Sequence, residues 1–244
     1  MFRQPAVMVA VMLTCFFLFD CNKSINQQSN KARILVTNAV IHGQPLAIAY
    51  DNVSLLSGGL LEPDSTTGIF GNPYLLVGAG IHNFRASTSS GSNLLNGNIA
   101  VQANQSYSVF LYDSVTNGQL NALVLKDNLF PLADSISGVR FLNLSPDTVN
   151  LEIFMTTVPD TGGIDTVFLG FYGYVGPDPI PANYSRFSYI HSGKYGIIVA
   201  LDSTDYIHID SLTFGGGKTY TIFTQGFYHG TGADTLRAMT VDHN

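Results

Sequence analysis

The side chains able to do chemistry are few and scattered. Six histidines, His42, His82, His191, His208, His229 and His243, occur without a His-x-x-x-His pair, whereas a zinc site gathers its ligands at short spacing on one hairpin or helical turn. Asp202, Asp205 and Asp210 lie close together, but strand alternation sends Asp202 and Asp205 to opposite faces. No stretch alternates Asp and Asn around a glycine as a calcium loop does. A serine hydrolase holds its nucleophile in Gly-x-Ser-x-Gly, which is absent. Glycoside hydrolysis needs two opposed carboxylates; Glu62 and Glu152 are the only glutamates, and most aspartates sit in turn-like stretches. Gly215-Gly216-Gly217-Lys218-Thr219 ends like a phosphate-binding loop, yet Leu212 stands where that loop needs its first glycine and no helix pattern follows. The sequence therefore predicts no enzyme, no catalytic residue, no metal and no cofactor.

Binding is better supported than catalysis. Between 168 and 189, Phe168, Phe171, Tyr172, Tyr174, Tyr184, Phe187 and Tyr189 alternate with glycines and prolines. Tyrosine offers a rigid face with a polar tip, suited to stacking on sugar rings or packing on a protein partner. Two readings stand: the aromatics fill a core, or Tyr172, Tyr174 and Tyr184 form an exposed ligand platform on a loop over 170–183. The absence of tryptophan counts against the carbohydrate version.

A second pattern runs the length of the chain. Most aspartates precede Ser or Thr, and eight such pairs continue with an aliphatic residue or Thr, placing hydroxyls at Ser65, Ser114, Ser135, Thr148, Thr166, Ser203, Ser211 and Thr235. Turn chemistry explains part of this. The pattern also resembles the Asp-(Ser/Thr)-aliphatic acceptor for O-glycosylation of Bacteroidetes envelope proteins, which implies glycans at these eight positions.

The elements that position these residues begin after a targeting segment. Arg3 supplies a positive start, 6–19 is an apolar run too short to span a bilayer comfortably, and Cys21 follows. Leu18-Phe19-Asp20-Cys21 resembles a relaxed bacterial lipobox, which implies acylation at Cys21, a signal peptide over 1–21 and a polar tether over 22–30. Both cysteines, Cys15 and Cys21, lie in this segment, so the rest must be stabilised by packing without disulfides. Charged residues make up only 11% and the net charge is −6 with no basic block, which excludes nucleic acid held through its phosphates.

From residue 31 the apolar period becomes two. Strands are expected over 32–39, 46–50, 74–77, 82–88, 98–101, 107–112 and 121–126, with a hairpin turn at Asn117-Gly118. The run 138–155 reads as two alternating segments around Ser145-Pro146-Asp147, either a hairpin or a strand, a corner and a strand. The second half repeats the first at an offset of roughly 110 residues. Val139-Arg140-Phe141-Leu142-Asn143 answers Arg33-Ile34-Leu35-Val36-Thr37, and Thr219-Tyr220-Thr221-Ile222-Phe223 answers Ser106-Tyr107-Ser108-Val109-Phe110. The Arg140 to Asp147 run, with its second strand and the late Gly-x-Thr-Tyr-Thr strand, resembles the domain-of-unknown-function 4397 family. That resemblance implies tandem β-sandwich modules of a bacterial envelope lipoprotein and carries no catalytic residues.

The expectation is an all-β chain of two tandem immunoglobulin-like β-sandwich domains, 31–132 and 137–244, joined by a linker that few contacts cross. Its expected partners are the outer membrane, through a lipid anchor, and a glycan or envelope protein. The expected role is that of a structural or binding module, with carbohydrate recognition or adhesion as the alternative.

Overall fold

The computed structural model describes residues 30–68, 72–114, 120–148, 150–157, 166–176, 182–201 and 206–244. The leader, Cys21, the tether and the Asn117-Gly118 turn lie outside the described residues. The regular structure is nearly all strand, in two sets of eight, with two short 3-10 turns at Ala182–Ser185 and Gly232–Asp234. The first set is β1 (Lys31–Ile41), β2 (Leu46–Tyr50), β3 (Val53–Ser54), β4 (Leu75–Gly78), β5 (Gly80–Thr88), β6 (Asn93–Val101), β7 (Ser106–Ser114) and β8 (Asn121–Asp127). The second is β9 (Ile136–Asn143), β10 (Asn150–Thr157), β11 (Thr166–Gly173), β12 (Ser188–His191), β13 (Gly193–Ala200), β14 (Tyr206–Phe214), β15 (Thr219–Gln225) and β16 (Arg237–Asp242).

Each set forms a sandwich of two four-stranded sheets. The first has the orders β4-β1-β7-β8 and β3-β2-β5-β6; the second has β12-β9-β15-β16 and β11-β10-β13-β14. Adding eight to every label of the first sandwich yields the second, so the repeat read in the sequence is a repeat of topology. Strands β9 and β10 belong to different sheets, so the Ser145-Pro146-Asp147 segment is a corner between layers and not a hairpin turn.

The four sheets stack as four layers with three cores. Ile34, Val36, Leu46, Phe84 and Val109 fill the first sandwich, and Phe141, Ile153, Ile197, Phe214 and Ile222 fill the second. A third core, with Leu35, Phe110, Leu123, Leu142, Leu144 and Phe223, lies between the two inner sheets. The inner strands are therefore buried on both faces. In β1, even-numbered residues face the first core and Leu35 and Ala39 face the middle one. This is why β1 and β9 carry nearly continuous apolar runs; each pairs in parallel with its central neighbour, β1 with β7 and β9 with β15. The expectation of a linker crossed by few contacts is corrected: each buried aliphatic or aromatic side chain of the middle core contributes roughly 2 kcal/mol, and these contributions tie the sandwiches together.

Register aligns the repeats residue by residue. Ile34 pairs with Tyr107 and Val139 with Tyr220, so Val139 is the counterpart of Ile34 and not of Arg33. The sequence matching was one residue out here, and a slip of one moves every side chain to the other face of the sheet.

Candidate functional site

The third core contains a polar ring that sequence reasoning did not find. Arg140 is 2% exposed and Asp127 4%, which is tolerable for charges only if they are paired. Arg140 Nη1 donates to Asp127 Oδ1 at 2.9 Å and Nε donates to Thr221 Oγ1 at 3.0 Å. Asp127 Oδ2 accepts from Tyr74 Oη at 2.8 Å and from Ser108 Oγ at 2.7 Å. His243 closes the ring, with Nδ1 2.7 Å from Tyr74 Oη and Nε2 2.7 Å from Thr221 Oγ1. Phe187 lies 4.5 Å from the Arg140 guanidinium, measured to the ring centroid.

The protons of this ring can be assigned. A carboxylate only accepts, so the Tyr74 hydroxyl proton points at Asp127, and His243 must donate from Nδ1 to the Tyr74 oxygen. Nε2 then accepts the Thr221 proton, and the Thr221 oxygen is left to accept from Arg140. His243 is thus neutral, and burial pushes it down to about 4, with Arg140 adding to the depression against the opposing pull of Asp127 and Asp242. Tyr74 is held well above its ordinary value by burial and by the charge of Asp127. The signal in the sequence was an arginine inside the apolar run Val139-Arg140-Phe141-Leu142, which the strand pattern alone did not explain.

Further contacts cross between the sandwiches. Arg237 Nη2 meets Asp64 Oδ2 at 2.7 Å, and Gln225 Nε2 donates to Asp64 Oδ1. His42 meets Asp234 at 2.8 Å, and Tyr112 Oη donates to the Gly176 carbonyl at 2.7 Å. Of the remaining histidines, His82 pairs with Asp51 on the first sandwich at 2.5 Å. That contact raises His82 and lowers Asp51.

The tyrosine platform is corrected. Tyr184 is 5% exposed and donates to the Gly173 carbonyl at 2.8 Å. Tyr172 sits edge-on to Phe141 at 4.9 Å and to Tyr184 at 6.0 Å, while Tyr174 packs across the middle core against Tyr112 at 6.2 Å. Tyr184 is buried, and Tyr172 and Tyr174 are half-buried against the cores; β11 continues to Gly173, where a loop was expected, and turns Tyr172 inward. The outward side of the same strand carries Phe168 and Phe171, 48% and 62% exposed. A register shift opposite Ile153 and Phe154 puts both on one face, with ring centroids 5.1 Å apart.

The glycan acceptors divide the same way. Thr148 is 3% exposed and Ser114 6%, so neither hydroxyl can meet a transferase on the folded chain; Thr148 serves the corner by donating to the Ser145 carbonyl at 2.8 Å. Ser135, Thr166 and Thr235 are exposed and Ser65 is half-buried. Ser203 and the Ser211 side chain lie outside the described residues, as do Asp202 and Asp205.

An opening lies at the end of the middle core where β1 begins. Two clefts of about 360 and 410 Å³ share Arg33, Leu129 and Phe130. Asn104, Gln105 and Asn128 line the second, and Tyr74 and His243 stand at the back of the first. The Arg33 guanidinium lies over the Tyr74 ring at 5.6 Å.

The family model for Domain of unknown function (DUF4397) matches residues 32–154, half of the chain. The chain belongs to this family. Its match spans the first sandwich and runs into β9 and β10, so the DUF4397 resemblance seen around Arg140 to Asp147 lies within the matched segment. No curated protein matches the chain. Solved structures similar to it include candidate cell adhesion proteins from three organisms. That from Bacteroides ovatus ATCC 8483 has 9% identity over 86% of this chain and 95% of that one, with a TM-score of 0.24. Those from Bacteroides uniformis ATCC 8492 and Parabacteroides distasonis ATCC 8503 each have 10% identity over 88% of this chain, and 100% and 99% of theirs, with TM-scores of 0.22 and 0.21.

Proposed function

We propose that this DUF4397 protein is a non-enzymatic component of the bacterial cell envelope, anchored in the outer membrane by acylation at Cys21, and that it acts by binding, as one rigid body. The observation that carries the reading is the Tyr74–Asp127–Arg140–Thr221–His243 ring. The acid, base and imidazole most suited to catalysis are buried there, and each is committed to holding one sandwich on the other. A body so tied presents surfaces and not a hinged cleft. Domain boundaries at 132 and 137 then mark a duplication within one folding unit. Ser135, Thr166 and Thr235 are the acceptors open to glycosylation, and glycans there would solubilise a surface poor in charge.

The anchor is tested by feeding cells a labelled fatty acid. The protein is expected to take up label and fractionate with the outer membrane, and a Cys21→Ser variant to lose both properties. Equal labelling of the variant would remove the anchor from the proposal. Carbohydrate recognition remains as a second reading because of the opening beside Arg33, at a place different from the tyrosines first considered.

A further inference from the structure

We infer that the groove beside Arg33, at the end of the middle core where β1 begins, binds acidic oligosaccharides, with a sugar carboxylate seated on the Arg33 guanidinium. The inference rests on the reading that this protein acts by binding. Three observations converge on it.

Arg33 is a cation held ready. It is exposed, and among the described residues no carboxylate pairs with it. Its guanidinium lies over the Tyr74 ring at 5.6 Å. That ring is fixed by the hydroxyl bonds to Asp127 and His243, so the surface under the cation is rigid. A planar guanidinium on a rigid aromatic face keeps its fork of donors free for the two oxygens of a carboxylate.

Amides form much of the polar groove wall, beside Ser106 and the buried Asp127. Asn104, Gln105 and Asn128 line it together with Arg33. Each side-chain amide offers two donors and an acceptor, which matches neighbouring sugar hydroxyls that both give and take hydrogen bonds. The acidic groups nearby do not compete for the cation, since Asp127 is tied to Arg140 and Asp242 to Lys218.

The third element is an aromatic rim. Phe130 is 52% exposed, lines both clefts, and stands 5.8 Å from Tyr189, which is 51% exposed. An apolar ring face at the edge of an amide-lined groove suits the C–H face of a pyranose. The two clefts, about 360 and 410 Å³, are of ligand size. One cation, several amides and a ring describe a mostly neutral, hydroxylated ligand with a carboxylate, which is the chemistry of a uronic acid oligosaccharide.

The test uses detergent-solubilised full-length protein and ligand-observed NMR with titration. The acidic probes are trigalacturonate, an oligoguluronate and a hyaluronan tetrasaccharide; maltotriose and cellotriose are the neutral controls. At least one acidic probe is expected to bind below 1 mM, on the order of tenfold more tightly than the neutral sugars. Arg33→Gln should weaken it about tenfold and abolish the preference for acid, and the double change Asn104→Ala with Gln105→Ala should weaken acidic and neutral sugars alike, about threefold or more. The melting temperature should stay in place in each variant. Failure of all acidic probes at millimolar concentration, equal binding of neutral sugars, or unchanged binding by Arg33→Gln would overturn the site. Cleavage of a bound probe would instead overturn the non-enzymatic reading and leave the groove assignment standing.

Discussion

The two sandwiches repeat each other strand for strand and differ where they meet. Register makes Leu35 the counterpart of Arg140, Ser108 of Thr221, Asp127 of His243, and Tyr74 of Phe187. Phe110 and Phe223 are also counterparts, and their rings meet at 5.6 Å, as residues on a local two-fold axis do. A duplicated module packed on its copy through the same face is self-complementary by construction. Here each polar position of the pair has a different residue in the two copies. Asp127 on one side finds Arg140 on the other, where a symmetric pair would have set like charges or two leucines together. The asymmetry fixes which copy does what, and it turns two similar modules into one body with a single internal ring.

Breaking the charge pair has the largest expected effect. Arg140→Ala leaves Asp127 buried without its cation, and Asp127→Ala does the reverse; each should cost about 3–5 kcal/mol. Urea denaturation followed by tyrosine fluorescence and by far-UV circular dichroism should show one coincident transition for the wild type, shifted to lower urea in both variants. Two separate transitions in the wild type would mean that the sandwiches fold independently and that the ring is incidental.

The histidine end of the ring predicts a pH effect of roughly 3 kcal/mol. His243 has an ordinary value of 6.5 and about 4 in the folded chain, so between these values the unfolded chain binds a proton that the native state refuses. Stability is therefore complete above pH 6.5 and is lost as the pH falls toward 4. The groups facing the imidazole are Tyr74 on the first sandwich, Thr221 on β15 and the Phe187 ring, with Asp127, Arg140 and Asp242 acting through charge. A His243→Gln variant should be less stable at pH 7 and should lose this slope. If variant and wild type lose stability in parallel between pH 6.5 and 4, another group is responsible.

The sequence made the fold legible because its period of two and its turn residues are local signals. Strands β1, β2 and β7 were located within a few residues, and the order of the repeat was read correctly. The ring was hidden because its members, at 74, 127, 140, 221 and 243, meet only through strand pairing and through stacking of the two sandwiches. Tyr172 and Tyr184 were misplaced for a related reason: alternation does not say whether a tyrosine on a strand faces water or a neighbouring layer, and here a third core takes what a lone module would leave outside. Arg33 was visible only as the start of a strand, and nothing local marked it as the one groove cation resting on Tyr74.

The corners sharpen the comparison further. Asn38 and Asn143 are counterparts, both fully buried. Asn38 Nδ2 donates to the carbonyls of Gln44 and Leu61, and its Oδ1 accepts from Val40 N. Asn143 does more: Nδ2 donates to Thr148 Oγ1 and the Tyr172 carbonyl, while Oδ1 accepts from Ser145 N and Thr224 Oγ1. Since a buried group left without its partner costs about 1–3 kcal/mol, Asn143→Ala should destabilise more than Asn38→Ala, by roughly 1–2 kcal/mol. Equal losses in a chemical denaturation series would show that the extra bonds of the second corner add nothing.

The smallest effect belongs to the outer sheets, where the copies diverge without touching. The first sandwich ends in β3, two residues long, while its counterpart β11 runs for eight and carries Phe168 and Phe171 outward. A short edge strand is a common protection against pairing with another chain, and at this edge of the outer sheets only the first sandwich has it. Exposed rings add little to folding, so Phe171→Thr should change stability by no more than about 0.5 kcal/mol. It should, however, lower the tendency of concentrated protein to associate, because the apolar edge is what a second chain would cover. Light scattering at rising concentration compares the two. A substantial loss of stability with unchanged scattering would place Phe171 in the fold itself, and the divergence of the outer sheets would then be structural like that of the inner ones.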